Sequence, residues 1–227
     1  METSERAYEK IINYVERQIM QGSYKKGDKL PPERELAALL GASRNSVREG
    51  LGILERMGVI SSQQGARNFI SDNFEKTLIE VMTLMFILEE GTFREISEFR
   101  YALETQALSL AMKNITEEQQ TDIEYYMSML EQTPGEEQKA YYDKKIHYTI
   151  TAASGNRFII DNLQALTEVM DVFIKDMRAK ILSDGSNSEG LMSAHRQMVE
   201  ALREKDESKG LKALKAHFEY IYAYIDG

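Results

Sequence analysis

Histidine is rare in this chain, and its three histidines are the side chains best suited to metal chemistry. Asp143 and His147 are four residues apart, which makes them neighbours on one face of a helix. His195 and His217 each stand among apolar residues of later helical segments. Imidazoles and a carboxylate on the inward faces of three helices could surround one divalent ion. The spacing alone also allows a surface Asp–His pair and two partly buried histidines without a metal.

A second group of polar residues lies near the start of a helical segment in the first third of the chain. Arg44, Asn45 and Arg48 share a face that differs from the apolar face of this segment. Arginine pairs with guanine edges or phosphates and asparagine can pair with adenine, so these residues could read DNA. An ordinary pair of packed helices with a solvated charged face would have the same pattern.

The surrounding stretch, LPPERELAALLGASRNSVREGLGILERMG, predicts two helices joined by a sharp turn. The two prolines suit the start of the first helix, where Glu33 and Glu35 put negative charge at its positive end. Gly41 suits its end, and Ser43 is placed to cap the second helix. A short helix, a tight turn and a helix with basic residues at its front are typical of a helix-turn-helix.

The next residues, VISSQQGARNFI, predict strands over 59–62 and 68–71, joined by a turn at Gly65 with Arg67 near the tip. In order and spacing, the motifs LPPERELA, SRNSVRE, LERMGVI and GARNFI resemble the N-terminal domain of the GntR family of bacterial transcription regulators. The resemblance implies that the hairpin is a wing that enters the minor groove and that three arginines contact the operator. With Asn45 and the wing arginine added, the candidate DNA contacts are Arg34, Arg44, Asn45, Arg48 and Arg67.

Two glycines depart from the usual pattern of that family. Gly50 and Gly52 stand inside the second helix, where the family usually has alanine and a bulkier, often basic, residue. Each glycine costs a helix about 1 kcal/mol relative to alanine. Arg67 likewise occupies a wing position that is often glycine in the family.

Length, charge and composition predict a cytoplasmic protein of two domains. The 227 residues include no cysteine, which excludes a disulfide framework and thiolate chemistry. The N-terminus lacks the apolar run of a signal peptide, and no apolar window is long enough to span a bilayer. Residues 1–71 carry 11 Lys+Arg and 9 Asp+Glu, a net of +2, whereas the remainder carries 17 and 28, a net of −11. We therefore expect a DNA-binding domain over 1–71 and a different domain over 72–227.

The region after residue 73 is predicted to be helical throughout, because it has no convincing alternating strand and its only proline is Pro134. Glycine, proline and polar loops divide it into helices near 74–89, 92–113, 117–132, 136–153, 157–182, 188–204 and 207–225. The predicted fold is therefore mainly α, with a winged helix-turn-helix domain followed by an all-α bundle of about seven helices.

Three segments of this region, DKKIHYTITAASGN, AHRQMVEAL and LKAHFEYI, resemble the FCD effector domain of the FadR-type branch of the GntR family. In the metal-binding members of that branch, one Asp and three His hold the ion. The resemblance implies one divalent ion, with Zn, Ni and Mn as candidates, bound by Asp143, His147, His195 and His217. The segment ISEFRYALE resembles the first conserved helix of that domain, which implies that Arg100 and Glu104 face the ligand cavity. Their i,i+4 spacing also allows a solvated surface salt bridge.

These features predict a ligand-responsive transcription regulator, not an enzyme. A site with four protein ligands leaves positions of a five- or six-coordinate ion open for a small carboxylate, whose far end Arg100 could hold. The helical domain would sense this acid and form a homodimer, and the winged domain would bind a palindromic operator of double-stranded DNA. Two alternatives stay open: a regulator that senses the ion itself, and a metal-dependent hydrolase that activates water at the open position.

Overall fold

The computed structural model describes residues 6–63, 67–71, 74–173 and 188–225. Within these ranges the chain forms ten helices and one two-stranded sheet, so the predicted mainly α fold is confirmed. The chain divides into two compact units, Met1–Glu80 and Val81–Gly227. No helix in the described ranges is long and apolar enough to cross a membrane.

The first unit contains three complete helices and a hairpin. These elements are α1 (Ala7–Met20), α2 (Glu33–Leu40), α3 (Arg44–Arg56), β1 (Ile60–Gln63) and β2 (Arg67–Ile70). α2 ends at Gly41, whose φ of 59° is left-handed, as expected for a glycine that stops a helix. The Ser43 hydroxyl accepts a 3.1 Å bond from the Ser46 amide and so caps α3. The predicted helix-turn-helix is therefore confirmed.

The hairpin after α3 forms the predicted wing. Its strands pair antiparallel, with Ile60 opposite Ile70 and Ser62 opposite Asn68. Each strand is shifted by one residue from its predicted bounds, and the predicted turn at Gly65 lies outside the described residues. Lys29, in the loop before α2, adds an antiparallel bridge to Phe69.

One apolar core holds the first unit together. Its buried members are Ile11, Val15, Leu30, Leu36, Val47, Leu51, Leu54, Ile60 and Ile70. Gly50 lies where α3 crosses α1, and a Cβ atom there would come within 2.8 Å of the Ile11 Cβ and 2.9 Å of the Tyr8 carbonyl oxygen. The two helices are therefore too close at this point for any side chain, which explains a glycine inside α3.

Seven helices account for the rest of the described chain. They are α4 (Glu75–Leu88), α5 (Phe93–Asn114), α6 (Glu117–Gln132), α7 (Glu136–Ala153), α8 (Arg157–Phe173), α9 (Ser188–Glu204) and α10 (Glu207–Ile225). Their number agrees with the predicted bundle. The predicted continuation of α8 over residues 174–182 lies outside the described residues.

The helices of the second unit surround two apolar cores. α5 packs against α7, α8 and α10, and α9 packs against α6 and α10. The larger core lies among α5, α6, α7, α9 and α10 and includes Met198, Leu202 and Phe218. The second core contains Ile96, Leu163 and other side chains of α5 and α8, together with side chains of α4. This packing places α5, α7 and α10 side by side, which positions the site described next.

Candidate metal centre and candidate DNA surface

Three helices of the second unit bring four potential metal ligands together. α7 carries Asp143 and His147, α9 carries His195, and α10 carries His217. One ligand atom from each residue lies within 4.8 Å of the others. The three histidines are only 5, 1 and 2 % exposed, and Asp143 is partly buried. The structure therefore assembles the predicted quartet in one buried cluster, and its binding of a metal stays a prediction.

Hydrogen-bond acceptors orient two of the imidazole rings. His147 Nδ1 lies 2.7 Å from Glu104 Oε2, and His195 Nδ1 lies 2.9 Å from the Leu191 carbonyl oxygen. Because a carboxylate and a carbonyl can only accept, each Nδ1 carries a proton and donates it. In the neutral ring the other nitrogen, Nε2, then presents its lone pair.

These lone pairs meet in one small volume. His147 Nε2 lies 3.2 Å from His195 Nε2, which in turn lies 2.9 Å from Asp143 Oδ1. Three acceptors this close repel one another unless a proton or a cation lies between them. Neutral imidazole nitrogens and carboxylate oxygens are the ordinary ligands of borderline divalent ions, so the donor set fits a metal.

His217 supplies the third imidazole. Its Nδ1 is buried and has no hydrogen-bond partner within the part of the chain that the structure describes. Burial, followed by the nearby His195 and His147, holds the pKa of His217 well below its usual value of 6.5. The ring is therefore neutral at physiological pH, which is the form that binds metals.

Glu104 and Arg100, both on α5, lie behind His147. Arg100 Nε donates a hydrogen bond to Glu104, and the two side chains are only 14 and 7 % exposed. Burial alone would raise the pKa of the Glu104 carboxyl, but the Arg100 charge and the bond to His147 outweigh it and lower the pKa to about 2. This buried pair is therefore not a solvated surface salt bridge. Glu104 keeps His147 in the tautomer that presents Nε2.

The Arg100 guanidinium has donors to spare next to the quartet. Its Cζ lies over the Phe218 ring, 5.5 Å from the centroid. Among the described residues Glu104 is its only hydrogen-bond acceptor, and that bond uses Nε. The positive charge of Arg100 attracts the Asp143 carboxylate, and it is one of the smaller causes that lower the pKa of His217. The two terminal nitrogens can therefore still donate to a ligand.

The sequence analysis missed two residues of this site. The Leu191 carbonyl lies four residues before His195. Every residue inside a helix has a backbone carbonyl at this spacing, so the sequence does not indicate that this one contacts the imidazole. Phe218 follows a predicted ligand in an apolar stripe, where the pattern indicates core packing and not a contact with Arg100.

The five candidate DNA contacts are exposed side chains of the first unit. Arg34 lies on α2, Arg44, Asn45 and Arg48 lie on α3, and Arg67 begins β2. α3 turns its apolar residues into the core, so its polar residues near the N-terminus remain open to solvent. This arrangement leaves them accessible to a groove of DNA, and the contacts themselves stay predictions.

Glu33 also belongs to this surface, although the sequence indicated only its place at the start of α2. Its Oε2 accepts a hydrogen bond of 2.8 Å from Arg48 Nε. The Arg48 side chain is 64 % exposed, against 25 % for Glu33. The bond therefore holds one edge of an otherwise exposed guanidinium and leaves its terminal nitrogens to donate elsewhere.

Two protein families match the sequence. The pattern described as "Bacterial regulatory proteins, gntR family" matches residues 7–70, and the pattern described as "FCD domain" matches residues 95–220. A regulatory protein of Escherichia coli (strain K12) named for the L-lactate dehydrogenase operon is 26 % identical over 222 residues, which cover 96 % of this chain and 85 % of that protein. The transcriptional repressor NanR of Salmonella newport is 24 % identical over 221 residues, which cover 95 % of this chain and 84 % of that protein.

Two solved structures have a similar fold. Streptococcus agalactiae GntR is 20 % identical, with a TM-score of 0.64 over 95 % of this chain and 99 % of that one. Escherichia coli McbR/YncC is 19 % identical, with a TM-score of 0.51 over 97 % of each chain. At these identities the likeness concerns the fold alone.

Proposed function

This chain belongs to the GntR family of bacterial regulatory proteins and carries an FCD domain, and we propose that a small carboxylate at a metal centre controls its binding to DNA. It is a ligand-responsive transcription regulator rather than an enzyme, and its relatives are named as an operon regulatory protein and a transcriptional repressor. The chain is therefore not the metal-dependent hydrolase of the second alternative. In our proposal a homodimer binds a palindromic operator in the cytoplasm.

The observation that carries the proposal is the meeting of four potential ligand atoms, three of them from buried imidazoles, within 4.8 Å of one another. Asp143, His147, His195 and His217 would hold one divalent ion, and Zn, Ni and Mn all suit three imidazoles and a carboxylate. Such an ion supplies a positive charge with open coordination positions. Asp143 and His147 lie on α7, and the other two ligands lie on α9 and α10, so binding would tie three helices together.

Arg100 supports a carboxylate as the effector. Its buried positive charge and spare terminal nitrogens lie beside the quartet, where one carboxylate oxygen could bind the ion and another group of the same ligand could accept from the guanidinium. The sequence analysis also placed Glu104 at the ligand cavity. Because its two oxygens already accept from Arg100 and His147, we expect it to orient these two residues and not to contact the acid itself.

The first unit supports the operator part of the proposal. Arg34, Arg44, Asn45 and Arg48 are exposed on the helix-turn-helix, and Arg67 is exposed on the wing. A single recognition helix covers one half-site, so two copies related by a two-fold axis would read an operator with the same symmetry. Replacing Arg44 or Arg48 by alanine should abolish operator preference without lowering thermal stability, and an unchanged footprint on the native promoter in both variants would contradict these contacts.

Metal analysis tests the centre directly. Purified protein should hold about one equivalent of a divalent ion, and chelation should lower its melting temperature because binding energy becomes stability energy. His195→Ala should lose the ion. If elemental analysis after reconstitution with Zn, Ni and Mn finds no bound ion in the wild type, the centre does not exist.

Titration with defined acids tests the effector. Acetate, L-lactate and succinate would be titrated calorimetrically into the Zn-loaded protein; L-lactate is included because one relative is named for an L-lactate dehydrogenase operon. Arg100→Ala should retain the ion but bind the acid more weakly, since only the guanidinium contact is removed. An acid response that persists in His195→Ala would show that the centre is not the sensor.

Operator binding by the Zn-loaded protein also tests the alternative in which the metal ion itself is the effector. A resident ion is supported by the burial of all three imidazoles, which are 5 % exposed or less. If the ion itself were the effector, operator binding would depend reversibly on micromolar free metal, a range we choose as typical of regulated ions. Operator binding that responds to the acids at constant metal occupancy would exclude this alternative.

A further inference from the structure

Two buried side-chain atoms have no hydrogen-bond partner in the part of the chain that the structure describes. One is His217 Nδ1, which belongs to the candidate metal centre. The other is the hydroxyl oxygen of Ser97, a residue of α5 that is 1 % exposed and has no role in the site described so far. A buried hydroxyl without a partner destabilises a fold, so its presence calls for an explanation.

A local partner is available to the Ser97 hydroxyl but is not used. A serine or threonine inside a helix can donate to the backbone carbonyl four residues before it. Thr105, two turns further along α5, does so, and its hydroxyl donates a 2.7 Å bond to the Tyr101 carbonyl oxygen. The Ser97 hydroxyl makes no such bond. It is therefore available to a group that the described residues do not supply.

Ser97 lies on the face of α5 that carries Arg100 and Glu104. The three residues stand at positions i, i+3 and i+7, which place them one above another on a helix. Glu104 accepts from Arg100 and from His147 of the quartet. Ser97 therefore continues a line of polar side chains that runs from the candidate metal centre towards the start of α5.

Contacts with α10 show which neighbour this part of α5 packs against. One turn after Ser97, the Tyr101 ring lies 5.1 Å from the Phe218 ring. One turn before it, the Arg94 guanidinium lies 4.2 Å from the centre of the Tyr222 ring. Ser97 stands between these two contacts, on the buried side of α5. The helix opposite it, α10, also carries the other unpartnered atom.

We propose that Ser97 binds the far end of the effector, and that the effector is a carboxylic acid with a neutral oxygen, a hydroxyl or a carbonyl, at that end. The inference rests on the acid-binding site proposed above and names the chemical class of its ligand. The carboxylate of the acid would lie at the quartet and Arg100, and its carbon chain would run along α5 to the Ser97 hydroxyl.

The surroundings favour a neutral group at this end. Arg100 is buried on this face, but the carboxylate of the acid would already use it. Arg94 lies one turn from Ser97, where its Nε donates to Glu98. A second carboxylate would thus be buried with a single hydroxyl as its new partner, which is very unfavourable for a charge. A hydroxyl or carbonyl needs only the one hydrogen bond that a serine can make.

The distance along α5 sets the length of the acid. Arg100 turns towards Glu104, so its guanidinium lies one to two helical turns from Ser97, which is about 5–10 Å along the axis. A chain of four carbons with an oxygen at each end spans about 6 Å. Such an acid reaches from one group to the other, whereas the hydroxyl of a 2-hydroxy acid stays beside its carboxylate.

Two acids that differ only at the far end test the assignment. Butyrate and 4-hydroxybutyrate would be titrated calorimetrically into the Zn-loaded full-length protein. The wild type should bind 4-hydroxybutyrate about 5- to 10-fold more tightly than butyrate, the net value of one hydrogen bond. Ser97→Ala should bind butyrate like the wild type and lose this preference.

Thr105→Val is the matched control, because it removes a hydroxyl of the same helix that already has a partner. It should keep the wild-type preference for 4-hydroxybutyrate. An equal preference in the wild type and in Ser97→Ala would overturn the proposal.

Succinate tests the charge at the far end. It has the same four carbons, with a second carboxylate in place of the terminal hydroxyl group. The wild type should bind succinate more weakly than 4-hydroxybutyrate, because the second charge would be buried beside a single hydroxyl. Tighter binding of succinate that is lost in Ser97→Ala would contradict the neutral oxygen.

Melting temperatures of the acid-free protein give a readout that does not depend on any ligand. Thr105→Val should lower the melting temperature, since it removes a hydrogen bond that the fold makes. Ser97→Ala should leave it unchanged or raise it, since the hydroxyl that is lost has no partner. An equal decrease in both variants would mean that Ser97 serves the fold and not a ligand.

Failures of the two proposals are distinguishable. A wild type that binds none of the three acids would refute the acid site of the proposed function, together with the role of Ser97. A wild type that binds butyrate, with binding weakened by Arg100→Ala but with no preference that depends on Ser97, would refute the role of Ser97 alone.

Discussion

At the scale of single residues, the candidate centre depends on which nitrogen of each imidazole carries the proton. Glu104 determines this for His147, and the Leu191 carbonyl determines it for His195. A backbone carbonyl cannot be changed by substitution, but Glu104 can. It is therefore the residue through which the proton position can be tested without removing a ligand.

Glu104→Gln should lower metal affinity about 10- to 100-fold, the usual cost of losing a carboxylate partner behind a metal-binding histidine. The amide can turn its NH₂ group towards Nδ1, which would move the ring proton to the atom that faces the ion. The measurement is competition with a chelating dye. Glu98→Gln on the same helix is the control, since Glu98 bonds only to Arg94 among the described residues. Equal affinity in the two variants would remove Glu104 from this role.

A second prediction concerns Glu33 and the Arg48 that it holds. Glu33→Gln and Glu35→Gln each remove one negative charge from α2, but only the first weakens a bond to Arg48. Only Glu33→Gln should reduce the preference for operator over a scrambled duplex, by up to ~10-fold. A loss of this size lies within the discrimination between bases that one well-placed arginine contact provides. Fluorescence anisotropy with both duplexes measures this preference. Adding Arg48→Ala should abolish the difference, and equal preference in the two glutamine variants would contradict the prediction.

The residues of both candidate sites could be named from sequence because each lies in a local motif, such as SRNSVRE or DKKIH. The pairs that they form with residues distant in sequence could not be predicted in this way. Glu104 and His147 are 43 positions apart, and Glu33 and Arg48 are 15 apart. Such pairs depend on how helices pack, and periodicity gives only the face of each helix.

At the scale of elements, two glycines of α3 that look alike in sequence have different surroundings. Gly50→Ala should destabilise the first unit by about 1–3 kcal/mol, because its Cβ would press on Ile11 and on the Tyr8 backbone. Gly52→Ala should stabilise it by about 1 kcal/mol, since nothing lies within 4 Å of the added atom and alanine favours the helix. Urea denaturation of both variants is the measurement. A stabilising effect of both substitutions would mean that α1 and α3 are farther apart.

Helix ends were largely predictable because they depend on a few local residues. Thr92 and Thr116 cap α5 and α6 through reciprocal bonds with Glu95 and Gln119, and Gly41 ends α2 in a left-handed conformation. The exposure of α4 was not predictable in the same way. Its apolar sequence reads as core, and only the packing of α5 and α8 on one side leaves the other side open.

At the scale of the whole molecule, α4 belongs to both compact units. Its first residues lie within Met1–Glu80 and the rest within Val81–Gly227, whereas the sequence predicts a boundary after residue 71. The side chain of Thr77 fits against Gly58, where an added Cβ would lie 2.3 Å from Thr77 Oγ1. The predicted boundary and the observed division therefore differ in which domain receives the start of α4.

Two fragments decide between these boundaries. Residues 72–227 should fold, dimerise and unfold at a higher temperature than residues 81–227, in which the 14-residue α4 is cut to eight. Short helices are marginal without their first turns, and the shorter fragment would hold Met82 and Phe86 less firmly on the second core. Calorimetry and light scattering on both fragments give the comparison. Identical melting temperatures would assign the start of α4 to the DNA-binding domain alone.

The burial of the three imidazoles has a consequence for how fast an ion could leave. We expect the ion to leave only when the buried histidines of α7, α9 and α10 separate, so the rate of its loss would follow the opening of the bundle and not the strength of the individual bonds. Openings of that extent are far slower than the exchange of ions at an exposed site. The ion found in the protein would then record the metals available while the chain was folding, and a later change in the cell's metal supply would reach only newly made copies.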